Sequence, residues 1–164
     1  MILEARWAKY AEGTSFGNEP HGHVVLSDSG GSDPTDNHAV FARGLERTIR
    51  ALASKKIVLV ADVPEVGWPV PARLAREALA RHRLTTATSE NVYLQRQKFV
   101  LATFARLQKL YGVGVLYPHA VLCRDGKCAV ALDGVPLYRD EHHLSVYGAR
   151  RLTALMARAF GSAS

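Results

Sequence analysis

The sequence predicts an α/β protein built around a parallel sheet. Three observations carry that class. Short apolar runs at Ile2 to Ala5, Ile57 to Asp62 and Val113 to Tyr117 read as strands. The middle run, "KKIVLVADVP", is continuously apolar and β-branched up to its turn residues, as in a strand buried on both faces. Segments of helical apolar spacing separate the runs, so strands and helices alternate.

Taken in order, "MILEARW" opens as a short apolar strand. Ala11 to Asn37 is rich in Gly, Ser, Asp and Pro and reads as a long loop. A helix follows, with Asp36 or Asn37 as its cap and Phe41, Leu45, Ile49 and Leu52 on one face. After "EVGWPVP", Pro71 suits the first position of an Ala/Arg-rich helix ending near Arg81. A longer helix runs from about Ser89 to Tyr111, its apolar face assigned to Val92, Leu94, Phe99, Leu101, Phe104, Leu107 and Leu110. Gly112 stops it. The last helix starts behind Ser145 as cap and carries Leu152, Leu155, Met156 and Phe160. The "GSAS" end reads as frayed.

Composition narrows the classes. The 164 residues suit one domain, taken as residues 1–164. No apolar run spans a bilayer, and "MILEARWAKY" lacks the basic and apolar regions of a secretory signal. The net charge is +6, but Arg and Lys are spread along helices rather than clustered. Without a basic run interleaved with aromatics, nucleic acid is not expected as a partner. Cys123 and Cys128 flank the turn signal "RDGK". Two short extended arms there would bring the sulfurs within disulfide reach, which suits an oxidising compartment; two free thiols are the other reading.

The chemistry concentrates in "LYRDEHHLSVYGARRL". Asp140 and His143 stand three apart across a turn, which lets a carboxylate meet the imidazole Nδ1–H and direct Nε2 at a hydroxyl. The spacing alone equally suits a capped turn of exposed polar residues. The wording of the stretch, however, resembles the C-terminal block of the SGNH/GDSL hydrolase superfamily. It is most similar to the SGNH domains fused to acyltransferase family three membrane proteins. There an LY-x-D-x-x-HLS-x-x-GA pattern carries the catalytic Asp and His, which fall here on Asp140 and His143. "ILEARWAKYAEG", "FARGLERTIRAL", "VLVADVPEVGWPVP" and "LCRDGKCAVALDGVPLY" resemble further blocks in the same order, covering most of the chain.

The resemblance implies a three-layer αβα sandwich of SGNH/flavodoxin-like type. It implies a serine esterase or O-acyltransferase acting on acyl groups, often acetyl, of cell-envelope carbohydrate. No cofactor or metal is implied. Location would be periplasmic or otherwise extracytoplasmic, with a membrane acyltransferase domain as partner in longer relatives. One part of the pattern is missing. The family opens with a strand running into a Gly-Asp-Ser turn that bears the nucleophile, and none precedes "MILEARW". The chain is therefore expected to be an incomplete domain lacking its nucleophile. A catalytically inactive binding or interaction module is the alternative. In the flavodoxin order the absent strand neighbours Ile2 to Ala5, which would become an exposed edge prone to self-association.

Ser29, in "VVLSDSGG", is the one nucleophile candidate present, but it lies in the long loop, out of family order, with Ser27 where the turn wants Gly. Gly17-Asn18 is a poorer match still to an oxyanion Asn, and Ala5, Arg6 and Trp7 occupy the strand end where oxyanion donors belong. His21, His23, His38, His119, His142 and His143 fit no helix-borne metal pair such as His-Glu-x-x-His.

Overall fold

A computed structural model describes residues 1–17, 23–28 and 36–161. Fifteen elements follow in order: β1 (Ile2–Glu4), α1 (Trp7–Glu12), α2 (Asn37–Ala51), β2 (Val58–Val60), α3 (Val70–Leu79), β3 (Ala87–Ser89), α4 (Glu90–Tyr111), β4 (Gly114–Leu116), α5 (His119–Leu122), β5 (Cys123–Arg124), β6 (Lys127–Ala129), β7 (Ala131–Leu132), β8 (Val135–Pro136), α6 (Val146–Arg150) and α7 (Thr153–Phe160). They gather into two compact units, and α4 contributes to both.

The first unit comprises Met1–Ser15, Pro20–Asp62 and Arg96–Leu116. Its sheet is parallel, in the order β1-β2-β4. All three β2 residues are buried, which is why that stretch reads as an unbroken apolar run. Among the described residues β1 has a strand on one side only. Beside it lies a groove of about 480 Å³ lined by Ile2, Leu3, Tyr10, Val40 and Phe41, among others. Trp7 packs edge-on against Phe41 and Phe104 and donates from Nε1 to Val60 O at 2.7 Å.

Two differences from the sequence reading share one cause. Trp7–Glu12 is a helix, although no side chain at Arg6 caps it. Its cap comes from far along the chain: the amides of Trp7 and Ala8 donate to the two Asp62 carboxylate oxygens at 2.9 and 3.0 Å. The second difference is the face of α4. Its buried residues are Tyr93, Gln97, Val100, Thr103, Phe104 and Leu107, while Val92, Leu94 and Leu110 are exposed. Gln97 sits in the middle of that stripe, and its Nε2 reaches Asp62 at 2.6 Å. A polar residue in the stripe hid the 3.6 period, and the apolar residues beside it drew the assignment round the helix.

Asp36 caps α2 by accepting from Ala39 N. Asn37 instead pins the preceding loop: it accepts from Leu26 N and donates to Tyr10 O and Val24 O.

The second unit comprises Phe16–Glu19, Val63–Gln95 and Tyr117–Ser164. Its core is built from Val66, Val70, Leu74, Leu122, Val130, Leu137, Tyr138 and Leu152. β5 and β6 pair antiparallel through an Asp125-Gly126 turn, and β7 and β8 through Asp133-Gly134. All four turn residues have positive φ, the conformation that two-residue hairpins require. Cys123 lies opposite Cys128 in this register, and the two are joined in a disulfide.

The final helical segment is broken. α6 ends at Arg150, α7 begins at Thr153, and Thr153 Oγ1 bonds back to Arg150 O. Leu152 at the break is buried, whereas Phe160 is 73% exposed, so the amphipathic face expected of one long helix does not persist. The last three residues, and with them the "GSAS" reading, lie outside the described residues.

Replacing Asp62 with Ala would leave three buried donors facing nothing, at about 3 kcal/mol or more. Asp62→Ala is expected to lower the unfolding free energy by that amount in a denaturant titration, shifting the midpoint down in proportion, with Asp62→Asn intermediate because one oxygen remains. An unchanged midpoint would show that the Asp62 bonds do not organise this unit.

Candidate active site

Asp140 and His143 sit on a five-residue excursion between Leu137–Tyr138 and Leu144–Ser145. The excursion is closed like a small hairpin. Tyr138 bridges Leu144, Arg139 N donates to His143 O at 2.9 Å, and Ser145 N donates to Leu137 O at 2.8 Å. Its base is rigid. Tyr138 is fully buried, with its hydroxyl on Pro64 O at 2.8 Å, and burial pushes its phenol pKa up. Ser145 accepts from Gly148 N and donates to Pro136 O, so its hydroxyl is occupied as a helix cap. Gly148 is required here because a Cβ would stand 2.1 Å from Leu137 O.

A second segment holds the excursion from below. Leaving β2, the chain runs through Val63–Pro69 into α3. Val66 N donates to Glu141 O at 2.8 Å, and Val70 N donates to Asp140 O at 3.4 Å. The peptide of Asp140 is thereby tied to the start of α3.

Both Asp140 oxygens are used. Oδ1 accepts from the amides of His142 and His143 at 2.9 and 2.7 Å. Oδ2 faces His143 Nδ1 at 2.7 Å. Burial acts to raise the Asp140 pKa, but those two amides and then the His143 ring outweigh it and hold the carboxyl well below the usual range. An ionised carboxylate only accepts, so Nδ1 carries the proton. In neutral His143 the Nε2 lone pair is then free to take a proton, which is the orientation a general base needs. The ring is about half exposed, and among the described residues Nε2 has no hydrogen-bond partner.

The remaining sequence candidates fall elsewhere. Ser29, Asn18 and His21 lie outside the described residues. At the end of β1, the Trp7 and Ala8 amides are engaged by Asp62 and so are not open oxyanion donors. Asp140, His142 and His143 offer ligand atoms within 4.8 Å of one another. Yet the 2.7 Å between Nδ1 and Oδ2 is a hydrogen-bond distance, too close for two ligands each about 2 Å from one tetrahedral ion. The Val66–Val70 support was missed by sequence reasoning. Its only signal there was turn chemistry, Gly67 and Pro69 directly after a strand.

The first unit is thus a parallel-sheet α/β unit, and in the second an Asp140–His143 hydrogen bond stands on a loop before α6. The sequence matches the SGNH domain (fused to AT3 domains) over residues 1–158, and the chain belongs to that family. Among solved structures, the periplasmic domain of a lipopolysaccharide acetyltransferase from Salmonella ser. Paratyphi A shares the fold with a TM-score of 0.59 at 13% identity. The match covers 75% of this chain and 50% of that one, so the chain spans about half the length of that neighbour. No curated protein matches it. No described helix is long and apolar enough to cross a membrane.

The lowered Asp140 pKa sets a pH dependence. Its stabilising contribution is complete above the ordinary carboxylate pKa of about 4 and is lost as pH falls toward the lower folded value. Asp140→Asn should therefore be less stable than the wild type at neutral pH, with the gap closing below about pH 4 in acid titrations of the unfolding midpoint. Nitrogen NMR should show the neutral form of His143 as the Nδ1–H tautomer, and a tautomer mixture in Asp140→Asn.

Proposed function

We propose that this chain is an SGNH-type acyl-handling domain that works outside the cytoplasm on acetyl or related esters of cell-envelope carbohydrate. The observation that carries this reading is the Asp140–His143 hydrogen bond, with Nε2 turned away from it, in a chain of this family. His143 takes the proton from a serine hydroxyl as that oxygen attacks the acyl carbonyl carbon. It returns the proton to the departing alcohol oxygen as the tetrahedral adduct collapses to an acyl-serine. A sugar hydroxyl or water, deprotonated by the same nitrogen, then releases the acyl group. Asp140 stays ionised and stabilises the imidazolium. No cofactor takes part.

The serine itself lies outside the described residues, and Ser29 remains a poor candidate on its sequence context. In this reading the domain acts together with a membrane acyltransferase domain of the kind its family is fused to. β1, with the apolar groove beside it, is the surface through which it pairs with another strand, in a second copy or in a longer chain. A non-catalytic saccharide-binding module is the second reading, favoured by the lack of a hydroxyl on Nε2 among the described residues.

Acyl transfer from an activated acetyl ester to polysaccharide, measured in the longest reading frame that carries this segment, tests the two. His143→Ala and Asp140→Asn are each expected to lower kcat by about 10⁴ with KM little changed. Ser29→Ala should leave kcat intact. Normal turnover in His143→Ala would refute the base assignment. No turnover and no labelling by a serine-directed phosphonate in any form would establish the binding module instead.

A further inference from the structure

His142 and His143 are consecutive, yet their rings lie against each other, with centroids 4.0 Å apart and planes tilted by 47°. In extended backbone consecutive side chains point to opposite sides. The turn around Asp140 abolishes that alternation, because the amides of both histidines converge on one oxygen, Asp140 Oδ1, at 2.9 and 2.7 Å. We propose that His142 is a positioning residue for the base: its ring is the plate against which the His143 imidazole is held in line with Asp140 Oδ2. The proposal rests on the acyl-transfer reading only for the use to which His143 is put; the packing is read from the turn itself.

The need for a plate follows from what holds His143. Its main chain is fixed at both ends, by its amide on Asp140 Oδ1 and by Arg139 N on its carbonyl. The side chain is 51% exposed, and a single hydrogen bond, Nδ1 to Oδ2 at 2.7 Å, ties the ring to Asp140. The torsion that turns an imidazole about its Cβ–Cγ bond is broad and roughly two-fold. A half-turn exchanges Nδ1 with Cδ2 and Nε2 with Cε1, and so takes both nitrogens from their places. Smaller swings move Nε2 off line, and a displacement of about 1 Å at a reacting group costs on the order of 100-fold in rate. A second ring in van der Waals contact opposes both motions.

His142 is placed to be that ring. Its side chain is 15% exposed, far less than its neighbour's. Its peptide is clamped on both sides: the preceding carbonyl, Glu141 O, accepts from Val66 N at 2.8 Å, and its own amide donates to Asp140 Oδ1. The plate is thus mounted on the Val63–Pro69 segment, while the base is mounted on the bridge between Tyr138 and Leu144. His142 Nδ1 stands 3.9 Å from Asp140 Oδ1, beyond hydrogen-bond reach, so it does not compete with His143 for the carboxylate. What His142 supplies to the pair is a flat ring, and an aromatic ring without nitrogen is expected to replace it.

The test reads the Nδ1–H proton of His143 by NMR in the full chain at about pH 8, where an ordinary imidazole is neutral. In the parent this hydrogen-bonded proton should give a resolved signal that exchanges slowly with water. His142→Ala should speed its exchange roughly ten-fold or more, and His142→Phe should stay within about two-fold of the parent. Should His142→Ala not fold, His142→Leu, which keeps an apolar group there without a flat face, takes its part with the same expectation. In the acyl-transfer assay His142→Ala should lower kcat roughly ten-fold or more with KM little changed, and His142→Phe should recover most of it. An unobservable Nδ1–H signal in the parent, or parental exchange in His142→Ala, would overturn the proposal. So would His142→Phe behaving like His142→Ala, which would assign the effect to the His142 nitrogens. Parental kcat in His142→Ala, beside full loss in His143→Ala, would remove the positioning role and leave the acyl-transfer reading standing. Fast exchange in His142→Ala and slow exchange in His142→Phe, in a chain without turnover, would uphold the positioning role and remove that reading alone.

Discussion

The structure turns on a buried carboxylate at the end of its central strand. The chain is apolar from β2 through Ala61, and the carboxyl-bearing Asp62 that follows is 6% exposed. A polar group so placed persists only if its oxygens are met by donors. Trp7 N, Ala8 N and Gln97 Nε2 meet them. Those three bonds start α1, set the angle at which Trp7 enters the aromatic core, and select the face that α4 buries. The eight residues after Asp62 then carry the amides that fix the peptides of Asp140 and Glu141. One short stretch, residues 62–70, thus serves both compact units.

Asp140 repeats the device on a smaller scale. It also accepts two backbone amides, but from its own turn, at His142 and His143. Local amides are what an exposed loop can offer, and they have a chemical consequence. They keep the carboxylate ionised, which places the proton of the neutral imidazole on Nδ1. Arg139, 3.5 Å from Oδ2, adds a further cation, although at 67% exposure it is well screened and contributes little.

How far the sequence could be read follows from the range of each interaction. The three sheet strands, the Asp36 and Ser145 caps and the hairpin around Cys123 and Cys128 are local or periodic signals, and all were legible. So was the Asp-x-x-His spacing, since both partners lie on one turn. α1 was not, because its cap lies 55 residues away at Asp62. The α4 face was not, because Gln97 is polar yet wholly buried and its partner is that same Asp62. The pairing of Arg73 with Glu77 and its place over the Trp68 ring could not be read either, because the ring comes from the loop before α3.

The occupancy of the polar groups also bears on where a reacting hydroxyl would come from in the acyl-transfer reading. A working hydrolytic site needs a hydroxyl on Nε2 and two donors for the oxyanion. Ser145, the hydroxyl nearest in sequence, is held by Gly148 N and Pro136 O, and moving it would uncap α6. The amides at the end of β1 are held by Asp62, and releasing them would uncap α1. Recruiting either set would therefore dismantle a helix start. In the acyl-transfer reading His143 would be the base and Asp140 its orienting carboxylate, and the nucleophile and the oxyanion donors would be drawn from groups that the described fold does not already employ.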